Sequence, residues 1–128
     1  MQRLHTDKTD IATIADVEKL VHTFYGKVKN NELLFAVFDP IIQDNWPAHL
    51  QKMVRFWSTL LLYTHEYKDD PLTKHLPLPL TRKHFETWLS LFNETLDDLF
   101  EGEIAENAKK RAFSIAKIMK AVKQIDAP

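Results

Sequence analysis

The sequence has no cysteine and only two glycines, Gly26 and Gly102, in 128 residues. Without cysteine there is no disulfide, no thiolate zinc site, no iron–sulfur cluster and no cofactor attached through a thioether. Two glycines are too few for a phosphate-cradling loop or a hairpin-rich β fold. No apolar run is long enough to cross a bilayer. The opening stretch, Met1 to Lys8, lacks the apolar core of a signal peptide. Charge of one sign is also missing: the formal net charge is −1, which argues against general nucleic-acid binding. The basic cluster Lys109-Lys110-Arg111 reads as a solvated helix face. Together these absences lead us to expect a cytoplasmic protein that engages neither nucleic acid nor membrane.

What is present is an ordinary globular composition, 45% hydrophobic and 27% charged, of a length suited to one domain. Residues 1–12 show no periodicity and read as a flexible or loosely docked arm, leaving 13–128 as the single domain. Thr13 and Asp16 resemble a capping box. Val17, Leu20, Val21, Phe24, Tyr25 and Val28 then recur at helical spacing, predicting a helix from Ile14 to Lys29. A short helix is expected from Glu32 to Phe38, stopped by Asp39-Pro40. Asp44 or Asn45 is expected to cap the next helix, to Leu62, with Pro47 in its first turn. His49, Met53, Phe56, Trp57 and Leu60 share one of its faces. Thr81 is the expected cap of a long helix carrying Phe85, Trp88, Leu89, Phe92, Leu96 and Leu99, ended by Gly102. A last helix runs from Glu103 to Ile125. No strand alternation or repeat is visible, so the expected fold class is all-α.

Between two strongly apolar helices lies Pro71-Leu72-Thr73-Lys74-His75-Leu76-Pro77-Leu78-Pro79-Leu80. Prolines lack an N–H and fix φ, so they leave room for about one helical turn presenting His75. A neutral imidazole held there is either a metal or haem ligand or a packing residue. Three further residues with polar tips, Tyr25, His49 and Trp88, sit on buried stripes of different helices. Each could find a hydrogen-bond partner locally. Taken together they could line one cavity facing His75, an arrangement that suits haem. There Tyr O–H and Trp N–H would donate to a small ligand that takes up partial negative charge. Each donor would be worth on the order of 1.5–3 kcal/mol, slowing escape roughly ten- to a hundredfold. His49 could be a third donor, a gate or an internal sixth ligand. Lys52 can reach outward to a haem propionate.

At this point the chain resembles a family. Phe24-Tyr25-Gly26-Lys27-Val28, Trp46-Pro47-Ala48-His49-Leu50, Phe56-Trp57, Lys74-His75-Leu76-Pro77-Leu78 and His84-Phe85-Glu86-Thr87-Trp88-Leu89-Ser90-Leu91-Phe92 are similar, in order, to motifs of the group III (P-type) truncated haemoglobins. The resemblance runs from about Val17 to Ala116. It implies a truncated globin fold, a helical sandwich shortened at its N-terminus, around non-covalently bound haem b. It implies His75 as proximal iron ligand, Tyr25 and Trp88 as distal donors, and His49 as the histidine of the distal helix. Met53, Phe56, Leu76 and Phe92 are expected in the haem pocket. Lys52 is the leading propionate partner, with Lys74, Arg55 and Arg111 as further candidates.

The function so implied is binding of O2, and of NO or CO. A redox role is the further expectation, as an NO dioxygenase or a peroxidase-like haem enzyme. The chain holds no flavin or nicotinamide module, so turnover would require a separate reductase. The alternatives are O2 storage or transport, a ligand sensor without turnover, and a haem-free helical module that binds a partner. The expected assembly is a monomer or weak dimer. Other signals are discounted. His5 and His65 read as solvated, His22 falls off its buried stripe, and His84 is expected at the surface, with a propionate contact as the alternative to a bare surface role. His65-Glu66 with Asp69-Asp70 reads as a solvated acidic loop rather than a metal cluster.

Overall fold

The computed structural model describes residues 8–63 and 80–122. His75, Leu76, Lys74 and the proline frame therefore lie outside the described residues, as do His5 and His65. Among the described residues the chain forms five α-helices and one 3₁₀ turn. They are α1 (Ile14–Lys29), α2 (Glu32–Ile42), the turn Gln43–Asn45, α3 (Trp46–Leu62), α4 (Arg82–Leu99) and α5 (Glu103–Val122). The all-α expectation holds.

Helix α1 is the hub. The Thr13 hydroxyl accepts from Asp16 N at 3.2 Å while the Asp16 carboxylate accepts from Thr13 N at 3.1 Å. This reciprocal cap satisfies two donors that a helix start leaves open. Val17, Leu20, Val21, Phe24, Tyr25 and Val28 are all buried, and α1 packs chiefly on α3 and α4. Phe24 is the pivot: its ring meets Tyr25, Trp88 and Phe92 edge-on at 4.9, 5.8 and 5.2 Å. Burying a side chain of that size contributes roughly 1.5–3 kcal/mol. Outside the core, Lys27 ties α1 to α4 through Glu94 and Asp98, each at 2.8 Å.

Four local expectations are corrected. Helix α2 passes Asp39-Pro40 and ends at Ile42, because Pro40 falls in the last turn, where its missing N–H forfeits one bond. Gln43, at φ 52°, then turns the chain and its N–H bonds to Asp39 O. Neither Asp44 nor Asn45 caps α3 with its side chain; both lie in the 3₁₀ turn, and Pro47 presets the first turn of α3 instead.

Helix α4 stops at Leu99, before Gly102. Gly102 has a different task, which also revises the expected loose arm. Ile11 is 1% exposed in the core. Beside it the Asp10 carboxylate accepts from Ile104 N and Ala105 N, both at 2.9 Å. Asp10 is thus an N-cap for α5 supplied from the other end of the chain, and Glu101 N bonds to Thr9 O alongside it. Gly102 has φ +147°, and a Cβ on it would overlap the Asp10 carboxyl group. Residues 8–12 are therefore docked.

Candidate functional site

Tyr25 reaches the site from α1 because its position follows Phe24 on the buried stripe. It is wedged in place. The His49 ring meets it edge-on at 5.3 Å and 88°, and the Trp46 ring lies 6.2 Å away. Trp46 is itself anchored, donating from Nε1 to Asp39 Oδ1 at 3.0 Å with the Lys29 ammonium 4.7 Å above its ring. Tyr25 is 8% exposed, and burial pushes its phenol pKa well above the usual value. The hydroxyl therefore stays protonated, and it is a donor at any working pH.

Trp88 comes from the middle of α4. Its ring stacks on Phe92 at 5.5 Å with only 4° between the planes, and Phe92 stacks on Trp57 at 4.7 Å. That column of rings, with Phe24 against its edge, sets the orientation of the indole.

Tyr25, His49 and Trp88 line one cavity. The space between the side chains around it, including its mouth to solvent, is about 730 Å³. Helix α2 contributes Leu34 and Phe38, α3 contributes Met53, Phe56 and Trp57, and α5 contributes Ile115, Ala116 and Met119. The start of α4 adds Leu80, His84 and Phe85. The wall is overwhelmingly apolar, with few polar atoms.

Those polar atoms are unusual. Neither Tyr25 nor Trp88 makes a hydrogen bond among the described residues. Nor are they sealed: Ser58 Oγ and Asn93 Oδ1 are the only buried side-chain polar atoms without a partner among the described residues. Tyr25 Oη and Trp88 Nε1 are therefore accessible, on side chains that line the cavity. A donor without a protein partner is free to take an acceptor. Two of them on side chains that line one apolar cavity form a site prepared for one. The surroundings also suit a flat aromatic macrocycle, since rings and aliphatic chains cover the walls.

The site residues expected from sequence divide into groups. Tyr25, His49, Trp88, Met53 and Phe56 are brought together at the cavity. Phe92 is not at the surface of the pocket; it is 1% exposed and supports Trp88 from behind. Lys52 is half-buried and is not a lining residue, and Arg55 and Arg111 are exposed. His75 and Leu76 lie outside the described residues. No group of acidic and histidine side chains suited to a metal ion occurs among the described residues.

His84 is the residue sequence reasoning misplaced. Expected at the surface, it is 8% exposed and lines the cavity. Its Nδ1 accepts from Thr81 N at 3.0 Å and lies 2.8 Å from Thr81 Oγ1, the histidine counterpart of a capping box. Burial lowers its pKa, so the ring is held neutral. The available signal was its position three residues after Thr81, where a capping box places a side chain that folds back on the helix start.

Known proteins resemble this chain in sequence and in fold. A family model described as bacterial-like globin matches residues 10–124. A group 3 truncated haemoglobin of Campylobacter jejuni is 36% identical over 104 residues, covering 78% of this chain and 82% of the relative. A crystal structure of a group III truncated haemoglobin from Campylobacter jejuni superposes with a TM-score of 0.83 at 32% identity, covering 90% of this chain and 94% of that one. The structure of a truncated oxygen-avid haemoglobin from Bacillus subtilis gives a TM-score of 0.70 at 29% identity, covering 84% and 92%.

Proposed function

The chain belongs to the bacterial-like globins, as a truncated haemoglobin of group III, and from that premise we propose that it binds haem b with His75 as the iron ligand and retains O2 tightly. Haem binding and a small gaseous ligand such as O2 follow from the family. The observation that carries the finer reading is the pair of unpartnered donors, Tyr25 Oη and Trp88 Nε1, on side chains that line one apolar cavity. When bound, haem supplies an iron atom with a free coordination position for a diatomic gas.

The protein's side chains do the rest. Tyr25 and Trp88 donate hydrogen bonds to the gas, and neither adds a charge. The apolar wall excludes water, which strengthens both bonds. His49, held edge-on against Tyr25, fixes the phenol and stands beside the same space. Met53 and Phe56 limit its size. Each donor is worth roughly 1.5–3 kcal/mol, and two of them favour slow release. The likeness to an oxygen-avid relative supports this.

Slow release suits turnover better than transport. The proposed reaction class is oxidation of NO by O2, or peroxidase-like cleavage, with electrons from a separate reductase. In that role donors preset in the apolar site stabilise developing negative charge. The proposed setting is the cytoplasm, with the protein a monomer or weak dimer.

The test begins with the visible spectrum of reconstituted protein, oxidised and reduced. His75→Gly should abolish the ferrous five-coordinate signature, and added imidazole should restore it. An unchanged spectrum would remove His75 from the iron. Very slow O2 dissociation with rapid NO consumption beside a reductase supports turnover; fast dissociation without NO consumption supports a carrier. Haem that binds only the native state must also raise the melting temperature. Melting insensitive to haem would restore the haem-free reading.

A further inference from the structure

The first turn of α4 reads Arg82-Lys83-His84 and carries no acidic residue. The backbone N–H groups of a helix start form a positive pole, which no acidic residue of this turn offsets. Beside it His84 is more than nine-tenths buried and lines the cavity.

The cap determines what that imidazole can do. Thr81 N can only donate, so Nδ1 must accept, and in the neutral ring the proton sits on Nε2. A protonated nitrogen has no lone pair for a metal, so His84 is not a second iron ligand. It is an N–H donor. Nε2 has no partner among the described residues and is not one of the sealed unpaired atoms. It is therefore accessible, on a side chain that lines the cavity. His84 also makes no ring contact among the described residues, whereas His49 sits 5.3 Å from Tyr25. It is not part of the Tyr25–His49 ring pair.

We propose that His84 Nε2–H, with the positive pole at the start of α4, holds a propionate carboxylate at the edge of the haem. This rests on the haem reading above. The positive pole of the helix start favours an anion, and the N–H donor on the side chain that lines the cavity gives it a hydrogen bond. An exposed lysine offers a carboxylate a mobile partner; His84 offers one whose tautomer and orientation are preset by the fold.

His84→Glu is the informative substitution. Glutamate at this position keeps a capping box, but its carboxylate can only accept, so no donor is left toward the cavity. Wild type and variant would each be loaded with iron protoporphyrin IX and with its dimethyl ester, which lacks the carboxylates. Haem loss to excess apomyoglobin would be followed by absorbance. The expected result is about tenfold faster loss of the free-acid haem from the variant, with the ester lost at one rate from both proteins. Equal acceleration with both porphyrins, or no acceleration, would overturn the proposal. Failure of wild type to bind either porphyrin would overturn the haem reading itself. Independently of any variant, imidazole ¹⁵N spectra of the carbonmonoxy protein should show His84 protonated at Nε2; a proton on Nδ1 would refute the argument.

Discussion

Replacing Tyr25 by phenylalanine should move stability and ligand retention in opposite directions. The hydroxyl makes no hydrogen bond among the described residues, and its side chain is 8% exposed. Removing it breaks no bond within the described protein and relieves a poorly solvated polar group. Such groups cost about 1–3 kcal/mol when fully desolvated. Oη is accessible, so only part of that is recovered, and Tyr25→Phe should stabilise the haem-free protein by up to about 1 kcal/mol. For a domain of this size that is a rise of roughly 3–5 °C in melting temperature. The phenyl ring keeps its contacts with Phe24 and His49, so packing is preserved. With haem present the same change should speed O2 dissociation roughly ten- to a hundredfold, the loss of one donor. Thermal unfolding of the apoprotein and stopped-flow O2 displacement by CO measure the two halves. A destabilised apoprotein would mean that the hydroxyl serves an internal partner. An unchanged dissociation rate would mean that it does not meet the ligand.

Two further predictions test the frame around the site. Asp10 is desolvated, which raises its pKa, but the backbone N–H groups of Ile104, Ala105, Ile11 and Glu103 outweigh this and leave it below the usual carboxylate value. Its contribution is therefore complete above the unfolded value of 3.8 and is lost as pH falls through the lower folded value. Asp10→Ala should cost about 1–2 kcal/mol near neutral pH in urea titrations, and the difference from wild type should shrink in acid. Ser58 is fully buried and its hydroxyl has no partner among the described residues. Ser58→Ala should accordingly raise the denaturation midpoint, by about 1 kcal/mol of stability.

Much of this molecule was legible along the chain. The bounds of α1 follow from the Thr13–Asp16 cap and the spacing of Val17 to Val28, because both the hydrogen bonds and the apolar stripe are local. The same spacing put Tyr25, His49 and Trp88 on buried faces, and their meeting at one cavity required only that those faces pack together. Errors arose where a local signal had a distant competitor. Gly102 looked like a helix terminator, but its conformation serves a carboxylate more than ninety residues earlier. Phe92, expected in the haem pocket, is 1% exposed and stacks on the indole that lines the cavity, a support role that spacing along one helix does not show.

Sequence alone determined the helical class, the polar set on the buried stripes and, through ordered motifs, the family. Each of these depends on residue type and spacing. Only the tertiary structure decided which polar groups lack partners, since pairing is settled by neighbours from other helices. It left the Tyr25 and Trp88 donors accessible, on side chains that line the cavity. It also turned His84 inward, where its own helix cap fixes which nitrogen carries the proton.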